Sequence, residues 1–214
     1  MKVGILGTGD VGQSLGKAFV SLGHEVKMGS RAAGHEGMKT WAKETGKGAS
    51  GGTFADAARF GNLIVLATRG VENANVIRQA GATHFKGKLV IDTTNPLEFS
   101  RGMPPTLARG HTDSGGEEVQ RLLPGAHVVK AFNTVGHTLM FRPDLPGGPP
   151  DMFIAGNDEG AKTRTAALLK DFGWNTIDLG GIEASRYLEP MCIVWVLHGA
   201  RTNTWDHAYK FLRK

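Results

Sequence analysis

The sequence predicts an α/β fold, a doubly wound and mostly parallel sheet with a C-terminal helical appendage. Three observations carry that reading. Apolar runs of strand length alternate with helical patterns along most of the chain. Several runs, such as Leu63-Ile64-Val65-Leu66-Ala67, are apolar throughout, as strands covered on both faces must be. The first run, Met1 to Leu6, leads straight into Gly7-Thr8-Gly9-Asp10-Val11-Gly12 and then into a helical pattern. That order is the condition under which Gly-x-Gly-x-x-Gly means a Rossmann-type dinucleotide-binding unit. The 214 residues divide into a Rossmann domain, 1–180, and a helical segment, 181–214, that packs on it.

The elements follow in order. Val11 to Leu22 is a helix with Val11, Leu15, Ala18, Phe19 and Leu22 on one face. His24 to Met28 is the second strand, Met38 to Thr45 a helix, Ala49 to Thr53 an edge strand and Phe54 to Phe60 a short helix. Leu63 to Ala67 and Leu89 to Asp92 are strands separated by a helix, Val71 to Ala80. A short helix from Glu117 to Leu123 precedes the strand His127 to Ala131. Asp151 to Ala155, a helix Glu159 to Phe172 and a last strand Trp174 to Leu179 complete the sheet. From Ser185 the pattern is helical to the end, with a break near Gly199. Loops 96–116 and 142–150 are unusually long, which marks lids, binding loops or disorder.

Composition excludes several classes. Net charge is +5 without a dense Lys/Arg run interleaved with aromatics, so nucleic acid is not an expected partner. The longest apolar run, Met191 to Leu197, is too short to span a bilayer, and Met1 opens directly into a strand where a signal peptide would stand. The single cysteine, Cys192, lies in an apolar run and reads as a buried thiol; no Cys/His spacing suits a metal. A reduced, cytoplasmic protein with no membrane partner is expected.

The glycines have separate tasks. Gly7 permits a tight turn, Gly9 lets a pyrophosphate approach the backbone, and Gly12 allows the helix close to the strand. The helix N-terminus then offers free N–H groups to phosphate. An NAD site places Asp or Glu about 20 residues further on, for the ribose 2′-hydroxyl. Here the second strand ends in Gly29-Ser30-Arg31, a hydroxyl and a guanidinium. These suit a 2′-phosphate, so the cofactor read from the residues is NADP(H).

Ligands of open α/β sheets lie beyond the carboxyl ends of the strands. The residues expected there are Thr8 to Gly12, Ser30-Arg31, Ala67-Thr68-Arg69-Gly70, Thr93-Thr94-Asn95-Pro96 and Ala131-Phe132-Asn133-Thr134. They offer hydroxyls, amides and two arginines but no acid/base pair, and no catalytic residue is assigned. Hydride transfer between flat rings mainly needs positioning, so a proton relay is not required. His137 follows the same strand and reads as a bystander. Leu188, Met191, Cys192 and Trp195 share one helical face. That stripe reads first as core; it also suits the wall of a nicotinamide pocket or a homodimer seam.

Gly7 to Gly12, Gly29-Ser30-Arg31, Asp92-Thr93-Thr94-Asn95-Pro96, Lys130-Ala131-Phe132-Asn133-Thr134 and Ser185-Arg186-Tyr187-Leu188-Glu189 stand in a telling order. In that order the chain resembles the coenzyme F420-dependent NADP oxidoreductases, and it is similar to the NADPH-binding reductase domain of the STEAP metalloreductases. The resemblance spans nearly the whole chain. It implies a phosphate loop at Thr8, Gly9, Asp10, Val11 and Gly12 and 2′-phosphate contacts at Ser30 and Arg31. It implies cofactor borders at Thr68-Arg69 and Asn95-Pro96, and a nicotinamide and second-ligand border at Phe132, Asn133 and Thr134. The implied reaction moves a hydride between NADPH and C5 of a deazaflavin, without a covalent intermediate. The chain departs from the family in carrying Thr68-Arg69 where Pro and a bulky aromatic are common, and in a Pro/Gly-rich insertion before Asp151.

Other classes fit less well. Tyr187 and Tyr209 are followed four residues later by Met191 and Arg213, so neither makes Tyr-x-x-x-Lys. The segment after Gly180 is too short for the helical second domain of hydroxyisobutyrate-type dehydrogenases. The expected function is hydride transfer to F420 or a flavin-like small-molecule acceptor, seated between Thr134 and the Leu188, Met191 and Trp195 face. The alternatives are a reductase of a quinone or free flavin, and a non-catalytic NADP(H) sensor.

Overall fold

The period of two in β1 (Lys2–Leu6) sends Val3 and Ile5 to one face of a sheet and Leu6 to the other. In the computed structural model, which describes residues 1–212, β1 lies near the centre of that sheet. The further strands are β2 (Glu25–Ser30), β3 (Ala49–Thr53), β4 (Leu63–Leu66) and β5 (Leu89–Asp92). A small hairpin, β6 (Leu97–Glu98) and β7 (Thr106–Leu107), precedes β8 (His127–Lys130), β9 (Asp151–Gly156) and β10 (Asn175–Asp178). Eight strands form the sheet in the order β3-β2-β1-β4-β5-β8-β9-β10. Neighbours are parallel except β8 and β9, so β9 and β10 run against the rest. The fold is the doubly wound, mostly parallel α/β sheet that the sequence predicts.

Helices α1 (Asp10–Ser21), α2 (Glu36–Thr45) and α6 (Glu159–Asp171) cover one face. Helices α3 (Phe54–Phe60), α4 (Asn73–Ala80) and α5 (Gly115–Leu122) cover the other. Leu15, Phe19 and Trp41 pack on the Val3, Ile5 and Val65 side. Phe54, Val76 and Val119 pack on the Ile64, Val90 and Val128 side. Trp41 of α2 lies against Gly16 of α1, and its indole N–H donates to Gln13 O at 3.1 Å. An indole is rarely buried without such a partner.

Helix α7 (Ser185–Thr202) lies over β9, with Leu188 packed on Phe153 and Ala155. It is not helical to the end of the chain. Asn203 takes a left-handed conformation, φ 52°, and the chain turns back along α7. The returning segment is held by polar bonds: Trp195 Nε1 donates to His207 O and Tyr209 Oη to Met191 O, both at 2.8 Å. No break occurs at Gly199; its missing side chain makes room for the Trp205 indole of the returning segment. Segment 96–116 also differs from a structureless loop, since it contains the β6–β7 hairpin, closed by Ala108 N to Pro96 O at 2.8 Å. Segment 142–150 is turns and coil, tied down by Arg142 N to Phe172 O at 2.7 Å.

One buried cation joins these parts. Lys130, at the end of β8, is opposite Asp92 at the end of β5. Its Nζ donates to Thr94 O at 2.8 Å and makes ion pairs with Asp92 Oδ2 at 2.7 Å and Glu189 Oε1 at 2.8 Å. Asp92 Oδ1 accepts from Thr94 N–H and Oγ1–H, and Glu189 accepts the Gly115 and Gly116 N–H groups that open α5. Every charge in the group is essentially out of water. Burial pulls the Lys130 ammonium down, but Asp92 and Glu189 outweigh it and hold its pKa above the ordinary lysine value.

Lys130→Met leaves two buried carboxylates without a counter-ion, a loss of about 3–5 kcal/mol. Chemical denaturation should register it. Because the folded pKa is raised, the stabilisation is fully present below the unfolded lysine pKa of about 10.4. It disappears as pH climbs through the folded value, so a denaturation series carried into alkali should fall less steeply in the variant than in the parent.

Candidate functional site

The carboxyl edge opens where the chain reverses direction across the sheet, between β1 and β4. Gly7 has φ +134°, and a Cβ there would strike the Ala67 carbonyl, so the two strand ends touch backbone to backbone. A Cβ at Gly12 would meet the Gly7 carbonyl, which fixes α1 against the turn. Gly9 differs from both: a Cβ built on it meets nothing within 4 Å. The space above Gly9 is free and lies at the start of α1, where no side chain caps the N–H groups. A phosphate suits that place.

A cleft of about 790 Å³ extends from this turn, lined by Gly7 to Val11, Ser30, Arg31, Ala67, Thr68 and Arg69. Among the described residues neither arginine has a hydrogen-bonding or ionic side-chain partner, so two free guanidiniums overlook it, with Asp10 and Glu72 also on its wall. Ser30 is almost wholly buried, and its hydroxyl donates to Ala32 O and accepts from Ala32 N–H. His35 and a stripe of Glu72, just before α4, with Asn75, Val76 and Gln79 of α4 close the far wall, with His137 at one side. The sequence reading missed His35 and this stripe. The stripe's i, i+3, i+4, i+7 spacing beside the carboxyl edge was the available signal.

A second lobe of about 220 Å³ shares Val11, Ala67, Thr68 and Arg69 with the first. Thr93, Thr94 and Asn95 form its floor, and Leu97 and Phe99 come over it from the hairpin segment. The Phe99 ring is half exposed. A ladder of side chains supports the floor: Thr68 Oγ1 donates to Asn73 Oδ1, and Asn73 Nδ2 donates to Thr94 Oγ1 at 2.7 Å. Thr94 is in turn held by Asp92 and Lys130. Asn95 and Asn133 clasp each other, Asn95 Nδ2 to Asn133 O at 2.8 Å and Asn133 Nδ2 to Asn95 Oδ1 at 3.0 Å.

The remaining residues named from the sequence lie behind these walls. Pro96 is buried and anchors the hairpin. Phe132, Asn133 and Thr134 are buried, and none of them lines either lobe. Phe132 has φ +62°, costly for a bulky residue, with its N–H on Met152 Sδ at 3.1 Å and its ring on Phe172. That turn brings Asn133 back to Asn95. Leu188 is wholly buried, so its side chain is core and offers a ligand no surface, contrary to its expected place on the acceptor wall. Met191 and Trp195 are half-buried and line neither lobe. The outer face of α7 exposes Tyr187, Val194 and Leu197 instead. Burial pushes the Cys192 thiol up to about 12, which leaves it unreactive. Among the described residues no group of three His, Cys, Asp or Glu side chains could hold a metal, and no helix is long and apolar enough to cross a membrane.

Comparison with known proteins gives a consistent result. Residues 2–96 match the family described as NADP oxidoreductase, coenzyme F420-dependent. The crystal structure of a proposed F420-dependent NADP-reductase from Arthrobacter sp. FB24 is 39% identical, covers 100% of both chains and superposes with a TM-score of 0.93. The hypothetical protein SMa0349 of Sinorhizobium meliloti is 27% identical over 86% of this chain and 87% of its own, with a TM-score of 0.72. Rat metalloreductase STEAP3 is 28% identical over 193 residues, 88% of this chain. The chain spans about a third of the length of the curated relatives it matches, 36% of STEAP3.

Gly9→Val tests the phosphate turn. Gly9 has φ −77° and ψ −179°, which valine adopts readily, and a Cβ there meets no protein atom within 4 Å. The variant is expected to lose no more than about 1 kcal/mol of stability, the scale of a weakened helix cap. Added NADPH should no longer raise its melting temperature. A ligand-induced shift as large as the parent's would place the dinucleotide elsewhere.

Proposed function

The chain belongs to the coenzyme F420-dependent NADP oxidoreductase family, and from that premise we propose that it moves a hydride between NADPH and a flat deazaflavin- or flavin-like acceptor. The observation that carries the reading is the two-lobed cleft joined at Val11, Ala67, Thr68 and Arg69. The larger lobe fits a dinucleotide: a turn with open space above Gly9, an uncapped helix start and two unpaired arginines. NADPH, when bound, supplies the hydride. The smaller lobe has a polar floor and an apolar roof from Leu97 and Phe99, the composition that holds a planar ring in place.

In this reading the residues bind, orient and exclude water; none has to move a proton. Gly7 and Gly12 fix the turn, and the N–H groups at the start of α1 take the pyrophosphate. Thr68, Thr94 and Asn95 hold the floor at one height through their bonds to Asn73, Asp92, Lys130 and Asn133. Hydride transfer needs the reacting atoms about 3–3.5 Å apart, so a rigid floor is the main catalytic requirement. The acceptor position differs from the one expected from the sequence. It lies under the hairpin segment and away from Leu188, because Leu188 is core and Phe99 is the free aromatic surface beside the cleft.

The test is oxidation of NADPH against F420, FMN, FAD and a quinone series. Turnover with F420 well above the rest is expected. Turnover with quinone or flavin alone would replace the deazaflavin, and no turnover with any acceptor would remove the enzyme reading of this site. Phe99→Ala should reduce turnover roughly two- to tenfold, the scale of one stacking contact of about 0.5–1.5 kcal/mol. NADPH affinity, titrated by fluorescence, should stay within a few-fold. Unchanged kcat and KM in the variant would move the acceptor away from the hairpin.

A further inference from the structure

On the reading that a hydride passes from NADPH to a ring in the smaller lobe, we propose that Arg69 is a catalytic residue whose guanidinium takes up the negative charge that arrives with the hydride. The C4–H bond of the dihydronicotinamide breaks, and its electron pair forms the new C–H bond at C5 of a deazaflavin, or the N–H bond at N5 of a flavin. The nicotinamide is oxidised and left cationic. The acceptor ring is reduced and left anionic, its charge spread over N1 and the C2 carbonyl oxygen until water supplies a proton. Charge that develops in this way is stabilised best by a group already in place to meet it.

The smaller lobe has one such group. Of the residues that line it, Arg69 alone is charged. The buried group beneath its floor adds no net positive charge, because Lys130 is matched there by two carboxylates, Asp92 and Glu189. The acids of the cleft, Asp10 and Glu72, line only the larger lobe, and Glu72 accepts from Asn75 Nδ2 at 3.4 Å. The anions of the dinucleotide have partners elsewhere: the start of α1 suits the pyrophosphate, and Arg31, just after β2, suits the 2′-phosphate. The backbone around Arg69 is pinned at the joint of the two lobes. Its carbonyl accepts from Glu72 N–H at 2.9 Å, and Gly70 N–H donates to Asn95 O at 3.2 Å. Thr68 turns inward, its hydroxyl on the buried Asn73, whereas Arg69 is extended, φ −66° and ψ 130°, and exposed. A fixed backbone thus carries a free cation where the two lobes meet.

Charge and hydrogen bonding separate by substitution. Arg69→Lys keeps a cation, Arg69→Gln keeps N–H donors without charge, and Arg69→Ala keeps neither. NADPH oxidation by F420 and by FMN is to be measured for each. Binding is to be titrated by calorimetry without oxygen, the oxidised acceptor with NADP⁺ and the reduced acceptor with NADPH, pairs that cannot react. Arg69→Ala and Arg69→Gln should lower kcat roughly ten- to hundredfold, the scale of one charged contact, with both KM values within a few-fold. Arg69→Lys should keep most of kcat. Guanidinium ion should restore part of it to Arg69→Ala where the same concentration of sodium chloride does not. In the titrations Arg69→Ala should bind the reduced, anionic ring several-fold more weakly and the oxidised ring unchanged. Unchanged kcat in Arg69→Ala, or Arg69→Gln as active as Arg69→Lys, would overturn the role. So would equal losses for both forms of the ring, or a loss of NADPH affinity with kcat intact. No turnover by the parent with any acceptor would instead remove the hydride-transfer reading on which the role rests.

Discussion

The carboxyl edge of this sheet depends on one buried ammonium group. Lys130 binds Asp92 of the neighbouring strand, the backbone of Thr94 in the next loop and Glu189 of α7. A buried charge is tolerated only with partners on every side, and removing one partner costs far more than the pair contributes by itself. The group therefore acts as a constraint on position. β5, β8, the Thr93–Pro96 loop, the start of α5 and the first turns of α7 cannot shift independently without exposing an unmatched charge. The floor of the smaller lobe is part of that network through Thr94, and the Asn95–Asn133 clasp lies directly beside it.

The floor and the roof of the smaller lobe are built differently. The floor is a ladder of buried and partly buried hydrogen bonds at the strand ends. The roof is a two-residue-strand hairpin tied by backbone bonds and by the partly exposed Arg109–Glu118 ion pair. Surface pairs of that kind contribute little. On the proposed reading, a fixed floor sets the transfer distance, while a lightly held roof admits and releases a ring-shaped ligand at small cost.

Much of this was legible in the sequence, and the exceptions have physical causes. Apolar runs and turn glycines located the eight sheet strands, because burial on both faces leaves little choice of residue there. The roles of Gly7 and Gly12 followed from motif and order alone. Strand direction was not legible: nothing in Asp151 to Ala155 records that β9 runs against β8. Helical periodicity after Ser185 could not reveal the reversal at Asn203, since the aromatic residues beyond it pack back on α7 and imitate a continuing stripe. The stripe through Leu188 was a real signal of burial, but amphipathic spacing cannot distinguish a face turned to the core from a face turned to a ligand.

Glu189 is separated from the Gly115 N–H that it accepts by 74 positions, and it comes after every strand of the sheet. Chains emerge from the ribosome at about 5–20 residues per second and begin to organise as they do. The last strand ends at Asp178, so for about 0.5–2 s on that scale all the strands exist while Lys130 has a single carboxylate and the first turn of α5 lacks this acceptor. The nascent sheet can form its apolar layers in that interval, yet its carboxyl edge stays wet and unsettled. Closure comes only with α7, so a chain stalled before that helix would present quality control with a folded sheet and an unfinished ligand-binding rim.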